Sequence, residues 1–415
     1  MKLLANSAQI VTVNTDGKNI KRGEDLHDLG VLTEHAIIIE NDRIKDIIPN
    51  SSIKNTSRYD IIDLHETTIL PGLVECHTHT AHVGSRADEF KMKLQGSTYE
   101  EIAIKGGGIL STVKAVRNSS MNDLVKLLVP RVKYFISQGI TTLEIKSGYG
   151  LDLENEIKLL EAINKLKTFF SIDIIPTFLG AHTYPSEFKE NHSGYLKLIT
   201  EKMLPLIAEK KLARFCDAFC EDTAFSADEV DLIFTKAKEL GFPLRLHTEQ
   251  FNNIGGVELA LFHEAVSVDH LEVMTEKQIF KLAAFDTVAV LLPGVSFFLD
   301  YQYAPARKLI ENNAIVALST DYNPGSSHIP NLNLIMSIAA IKMKMSFEEI
   351  IPAVTINAAK ALLKNHEIGS IEIGKKADFA VFNTKNYPDI IYNVGKNLNI
   401  ITIKNGKIIY QANDL

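Results

Sequence analysis

The residues in this chain best suited to chemistry are histidines. Glu75-Cys76-His77-Thr78-His79 spaces two imidazoles at i and i+2, which in a strand puts both on one side. Three more of the 13 histidines stand at the ends of short apolar runs: His182 after Ala181, His247 after Arg245-Leu246, and His270 after Asp269. Another run closes on Ser319-Thr320-Asp321. Neutral imidazole suits zinc, iron and nickel, and a carboxylate adds one hard anionic ligand. His77, His79, His247 and Asp321 are therefore the candidate ligands of one divalent ion, with room left for water. An ion held this way acidifies its water. Asp321 beside that water can take its proton and pass it to a leaving nitrogen. The predicted chemistry is hydrolysis of a C–N bond without a covalent enzyme intermediate.

Such a cluster needs several strands that end at one place. The middle of the chain supplies eight candidates: Thr68 through Val74, Thr141 to Lys146, Asp173 to Phe178, Phe215 to Phe219, Leu244 to His247, Ser267 to His270, Thr287 to Leu292 and Ile315 to Ser319. Helical patterns lie between them, as in Asn155 to Lys167, Asp228 to Leu240 and Glu276 to Ala284. Eight βα repeats predict an α/β fold, a (β/α)8 barrel over residues 67–363, whose functional groups sit at the C-terminal strand ends. A doubly wound sheet is the rival layout, weakened because no G-x-G-x-x-G follows the first strand. Gly106-Gly107-Gly108 reads as a turn or a substrate-covering loop.

Both ends of the chain are β-rich. Ala36 to Glu40 and Arg43-Ile44 flank Asn41-Asp42, and Ile401 to Lys404 and Lys407 to Tyr410 flank Asn405-Gly406, a pair suited to a type I′ hairpin. Residues 1–66 and 364–415 are expected to form one composite β-sandwich. The 415 residues carry 44 basic and 51 acidic side chains, a net charge of −7, which argues against a bulk electrostatic grip on nucleic acid or anionic membrane. An acidic small substrate would need a local cation. Three cysteines make no disulfide framework. The start lacks a signal-peptide core, and no apolar run is long enough to span a membrane. A soluble cytoplasmic protein is expected.

Pro71-Gly72-Leu73-Val74-Glu75-Cys76-His77-Thr78-His79, isolated His247 and His270, Asp321, and Gly374-Lys375-Lys376-Ala377-Asp378-Phe379 together resemble the amidohydrolase superfamily over nearly the whole chain. The dihydroorotases and hydantoinases of that superfamily bridge two metals with a carboxylated lysine on strand four. Arg214 to Glu221 contains no lysine, which favours a single ion, zinc or iron. Cys76, Cys216 and Cys220 read as core thiols. Gly84-Ser85-Arg86, Lys146-Ser147-Gly148-Tyr149-Gly150, Phe178 to His182, His247-Thr248-Glu249-Gln250, Ser267 to Glu272 and Ser319 to Ser326 narrow the resemblance. They match the branch that hydrolyses the ring C–N amide bond of 4-imidazolone-5-propanoate to N-formimidoyl-L-glutamate in histidine degradation.

The resemblance implies that Arg86, Tyr149 and His182 bind substrate. Arg86 offers a bidentate partner for the propanoate. It implies a polar contact to the ring from Gln250, with Glu249 next to it as the alternative, and a polarising rather than ligating imidazole at His270. Asn323, Gly325 and Ser326, in the loop after strand eight, can hold the ring and the product. Tyr99 is a further candidate, or a packing residue at a helix start. Catalysis would fall to Asp321, His270 and Gln250. A homodimer is implied by the resemblance alone. The alternatives are a mononuclear deaminase acting on a nucleobase-like ring, which has no use for Arg86, and a catalytically silent homologue.

Overall fold

The computed structural model describes residues 1–54, 56–96 and 107–412; Tyr99 and Gly106 fall outside the described residues. Eight parallel strands follow in chain order around one curled sheet. They are Leu73–Glu75, Ile140–Lys146, Asp173–Ala181, Phe215–Cys220, Leu244–Thr248, Ser267–His270, Val288–Leu291 and Ile315–Leu318, strands one to eight below. Nearly all their residues are buried; strands seven and eight are continuous apolar runs, whereas strands two, four, five and six also bury charged residues, Glu144, Lys146, Asp217, Arg245 and Asp269. The ring closes just past the ends of strands one and eight. Thr78 bridges Tyr322 in parallel, the Asp321 N–H donates to the His77 carbonyl at 3.1 Å, and the His79 N–H donates to the Tyr322 carbonyl at 3.0 Å. The architecture is a (β/α)8 barrel.

The anticipated helices are Leu153–Leu166, Ala227–Glu239 and Glu276–Ala283. Their N-caps Asp152, Ser226 and Thr275 accept the N–H of Asn155, Glu229 and Gln278. Each such cap is worth about 1 kcal/mol.

One strand differs from expectation. The run Thr68 through Val74 is not a single barrel strand. Thr68–Pro71 pairs with Phe379–Phe382 and Gln9–Val11 in a separate sheet, and only Leu73–Glu75 enters the barrel. Gly72 is the hand-over point. A β-carbon there would lie 2.3 Å from Thr141 Oγ1, so the two sheets can meet this closely only at a glycine.

That second sheet has six strands, in the order Lys407–Gln411, Asn399–Lys404, Phe379–Phe382, Thr68–Pro71, Gln9–Val11 and Val31–Leu32. A third has four: Arg43–Pro49, His35–Glu40, Lys2–Ala5 and Asp60–Asp63. Leu4, Ile37 and Ile39 of the four-stranded sheet share one buried cluster with Ile69, Phe379 and Ile403 of the six-stranded sheet. The two are thus the layers of a sandwich. Asn405 and Gly406 both have positive φ, +50° and +71°, as a type I′ turn requires. No helix among the described residues is long and apolar enough to cross a membrane.

Candidate active site

The seam that closes the barrel also assembles the cluster. His77 and His79 leave strand one on the same side, and the backbone bonds across the seam set Asp321 opposite them. Asp321 Oδ1 lies 3.4 Å from His77 Nε2 and 3.3 Å from His79 Nε2. His247 arrives from strand five, its Nε2 3.2 Å from His79 Nε2. Thr78, between the two histidines, is pinned to strand two: its N–H donates to the Glu144 carboxylate at 3.0 Å and its hydroxyl to the Glu144 carbonyl at 2.7 Å. The chain turns sharply where strands deliver their groups. Glu249, His270 and Asp321 have φ of +49°, +87° and +48°, conformations that cost roughly 1–3 kcal/mol each in a residue other than glycine.

A buried layer of charge lies beneath these residues. His77 Nδ1 contacts Asp269 Oδ2 at 2.6 Å, and His247 Nδ1 contacts Asp217 Oδ1 at 3.0 Å. Each carboxylate is in turn held by a buried cation. Lys146 Nζ donates to Asp217 and Glu144 at 2.9 Å, and Arg245 donates to Asp269 at 2.9 Å. Burial alone would raise the carboxyls of Asp217 and Asp269. His247 and Lys146 overcome this at Asp217, and Arg245 and Lys146 at Asp269, and both are held below the usual range. Ionised carboxylates fix the Nδ1–H tautomer of His77 and His247, so their Nε2 lone pairs face inward. Burial, and after it the neighbouring cations and imidazoles, holds His77 and His79 far below the usual imidazole range; burial also lowers His247. All three are held toward the neutral form, the form in which an imidazole can ligate a metal.

The donor set fits a divalent cation. Among the described residues, buried His77 Nε2 and Asp321 Oδ1 have no hydrogen-bond partner. Inward lone pairs and a carboxylate oxygen converge where only a positive charge relieves their repulsion. Burial raises the Asp321 carboxyl to about 7. The lysine that does enter the barrel, Lys146, comes from strand two rather than strand four. Two carboxylates hold it as an ammonium, its pKa raised by Asp217 and Glu144 against the opposing effect of burial.

His270 also stands at this centre, one of its ring nitrogens within 4.8 Å of ligand atoms of His77 and Asp321. Its Nδ1 lies 3.6 Å from Glu272 Oε1. Its assignment as a polarising group is therefore testable by metal content. His247→Ala should lose the metal, whereas His270→Ala should keep it and lose rate. An emptied site in His270→Ala, measured by elemental analysis, would make His270 a ligand.

Above the cluster opens a cavity of about 500 Å³. Among its lining residues are Arg86, Tyr149, His182, Gln250, Asn323, Gly325 and Ser326, each singled out in the sequence. Arg86 Nε donates to Glu89 at 2.7 Å, and its Nη1 would lie 2.3 Å from a β-carbon at position 325, so the guanidinium rests on Gly325. Gln250 faces the cavity. Glu249 does not line it; its carboxylate instead accepts the Val257 N–H and the Gln278 amide. Asn323 Nδ2 donates to Asp321 Oδ2 at 3.0 Å, and its Oδ1 accepts the N–H groups of Gly325 and Ser326. Asn323 therefore orients Asp321 and shapes the loop. Burial lowers His182 to about 4 and keeps the Tyr149 phenol protonated. Cys76, Cys216 and Cys220 are free and buried.

Sequence reasoning missed several residues of this cavity and of the layer beneath it. Lys93 lines the cavity as a second cation. Its signal was available, since Arg86, Glu89 and Lys93 recur at helical spacing on and just before Ala87–Leu94. Phe219 and Phe251 add apolar wall. Asp217, Asp269, Lys146 and Arg245 meet only once the strands are side by side.

The Amidohydrolase family model matches residues 68–409. The chain belongs to the amidohydrolase family. It is 44% identical to the imidazolonepropionase of Alkaliphilus oremlandii, covering 99% of this chain and 98% of that one. It is 47% identical to the imidazolonepropionase of Thermoanaerobacter pseudethanolicus over 90% of each. These relatives place it in the imidazolonepropionase branch of the family. Among solved structures, an adenosine deaminase from Xanthomonas campestris with bound zinc superposes with a TM-score of 0.73 at 16% identity, over 100% of this chain and 93% of that one. That likeness is one of fold.

Proposed function

We propose that this chain hydrolyses the ring amide of 4-imidazolone-5-propanoate to N-formimidoyl-L-glutamate, with one divalent ion, zinc or iron, held by His77, His79, His247 and Asp321. The observation that carries the reading is one cavity with an imidazole–carboxylate cluster at its floor and two cations, Arg86 and Lys93, in its wall. A deaminase has no need of those cations, because its nucleobase carries no carboxylate tail.

A bound divalent ion supplies an acidified water and polarises the amide carbonyl. The chain's residues do the rest. Arg86 and Lys93 hold the propanoate, and Gln250 can both donate to and accept from the ring. Asp321 takes the proton of the attacking water and passes it to the ring nitrogen as the C–N bond breaks. His270 stabilises the charge growing on the attacked oxygen. Phe219 and Phe251 limit water around the ring.

Support for a single ion comes from Lys146, whose ammonium is tied to two carboxylates. The reading extends to a homodimer in the cytoplasm, which sedimentation of the purified chain and fractionation of its cells would test. The activity itself is tested by adding freshly made 4-imidazolone-5-propanoate to the metal-loaded protein and following the loss of its ultraviolet absorbance. Inactivity there, with ammonia released from a nucleobase, would favour the deaminase.

A further inference from the structure

Fully buried Glu156, on the helix after strand two, takes no part in the chemistry described so far. Its carboxylate accepts three consecutive-loop N–H groups: Gly148 at 3.1 Å, Gly150 at 2.7 Å and Leu151 at 3.0 Å. The loop it gathers carries Tyr149 into the cavity wall. It is also pressed against strand three. A β-carbon on Gly148, where φ is +100°, would lie 2.8 Å from the Leu179 carbonyl and 3.1 Å from His182 Nδ1.

The Gly148 carbonyl then meets His182 Nδ1 at 2.9 Å. A carbonyl only accepts, so Nδ1 carries the proton. With Nδ1 as its donor, the half-buried ring offers Nε2 to the cavity as its acceptor. The same ring stacks on His79, 5.0 Å between centroids and 27° between planes. An acceptor nitrogen cannot hydrogen-bond a carboxylate tail. It can take an N–H from the ring of a cyclic amide.

We propose that Glu156 is a positioning residue that, through the Gly148 peptide, sets His182 as a hydrogen-bond acceptor for a ring N–H of the substrate. The inference rests on the cyclic-amide reading above. It separates two tasks in one wall: Arg86 and Lys93 read the tail, and His182 reads the ring.

The test compares wild type, His182→Phe, Glu156→Gln and the double variant on 4-imidazolone-5-propanoate and on its ring-N-methylated analogue, with bound metal measured in each. His182→Phe keeps an aromatic ring over His79 and removes the acceptor; a rise of roughly tenfold in KM is expected, with metal unchanged. Glu156→Gln turns an amide N–H toward the loop N–H groups and should raise KM similarly. The double variant should be no worse than His182→Phe alone. Methylation should penalise wild type but not His182→Phe. If Glu156→Gln does not fold, Glu156→Asp takes its place, with a smaller rise that again vanishes in the His182→Phe background. Additive losses, or a methylation penalty that survives in His182→Phe, would overturn the inference while wild-type turnover upheld the proposed function. Wild type that leaves the substrate untouched would overturn both.

Discussion

Asp321→Asn should lower kcat by at least ~10²-fold, the usual scale for a lost general acid–base group. Asparagine keeps the shape of the side chain and one oxygen for the ion, but cannot take a proton from water. The replacement keeps the inward oxygen but costs the outer hydrogen bond. Oδ2 is already bound by Asn323 Nδ2 at 3.0 Å, and Oδ1 points at the imidazoles. The amide would settle with its oxygen toward the ion, because a nitrogen facing inward would meet the cation; its nitrogen then faces the Asn323 Nδ2 donor, and the loss of that hydrogen bond costs about 1 kcal/mol. Metal content should therefore hold near the wild-type value while turnover collapses. Turnover within a few-fold of wild type, with metal in place, would mean another group carries the proton.

Arg86→Gln should cost the natural substrate far more than a tailless imidazolone. Removing one partner of a charge-assisted pair in a dehydrated pocket costs about 2–5 kcal/mol. That is roughly 30-fold to several thousand-fold in kcat/KM. The chain is net acidic, so no general field replaces the lost cation. Lys93 lines the same wall, and on the proposed reading its charge draws the loss toward the lower end of that range. Lys93→Met on top of Arg86→Gln should restore the larger figure. Tyr149→Phe should show the same dependence on the tail more weakly. Equal damage to tailed and tailless substrates would mean that Arg86 serves the loop through Glu89 and Gly325 rather than the substrate.

Much of the barrel was legible because short runs with apolar residues alternate with helical patterns, the rhythm of βα units. Strands two to eight lie within three residues of their expected limits for that reason, and Ser267–His270 coincides with its expectation. The same rule misled at Thr68 to Val74. Two strands of different sheets follow one another there without a polar break, and only Gly72 marks the change. The cluster was legible because its members end strands and their residue types are costly elsewhere. The layer beneath was not. Asp217 looks like any acidic residue until strand two brings Lys146 and strand five brings His247 against it. Glu249 and Gln250 could not be told apart by type. The backbone at Glu249, with φ of +49°, turns one toward Gln278 and leaves the other in the cavity wall.

The most direct measurement is mass spectrometry of the product formed from 4-imidazolone-5-propanoate in water labelled with heavy oxygen, with ammonia assayed in the same tube. The account predicts N-formimidoyl-L-glutamate, heavier than the substrate by one water, with a single heavy oxygen in the newly formed carboxylate and no ammonia. Substrate recovered unchanged, a product with the heavy oxygen in a formyl group rather than in the carboxylate, or ammonia in the tube would contradict it.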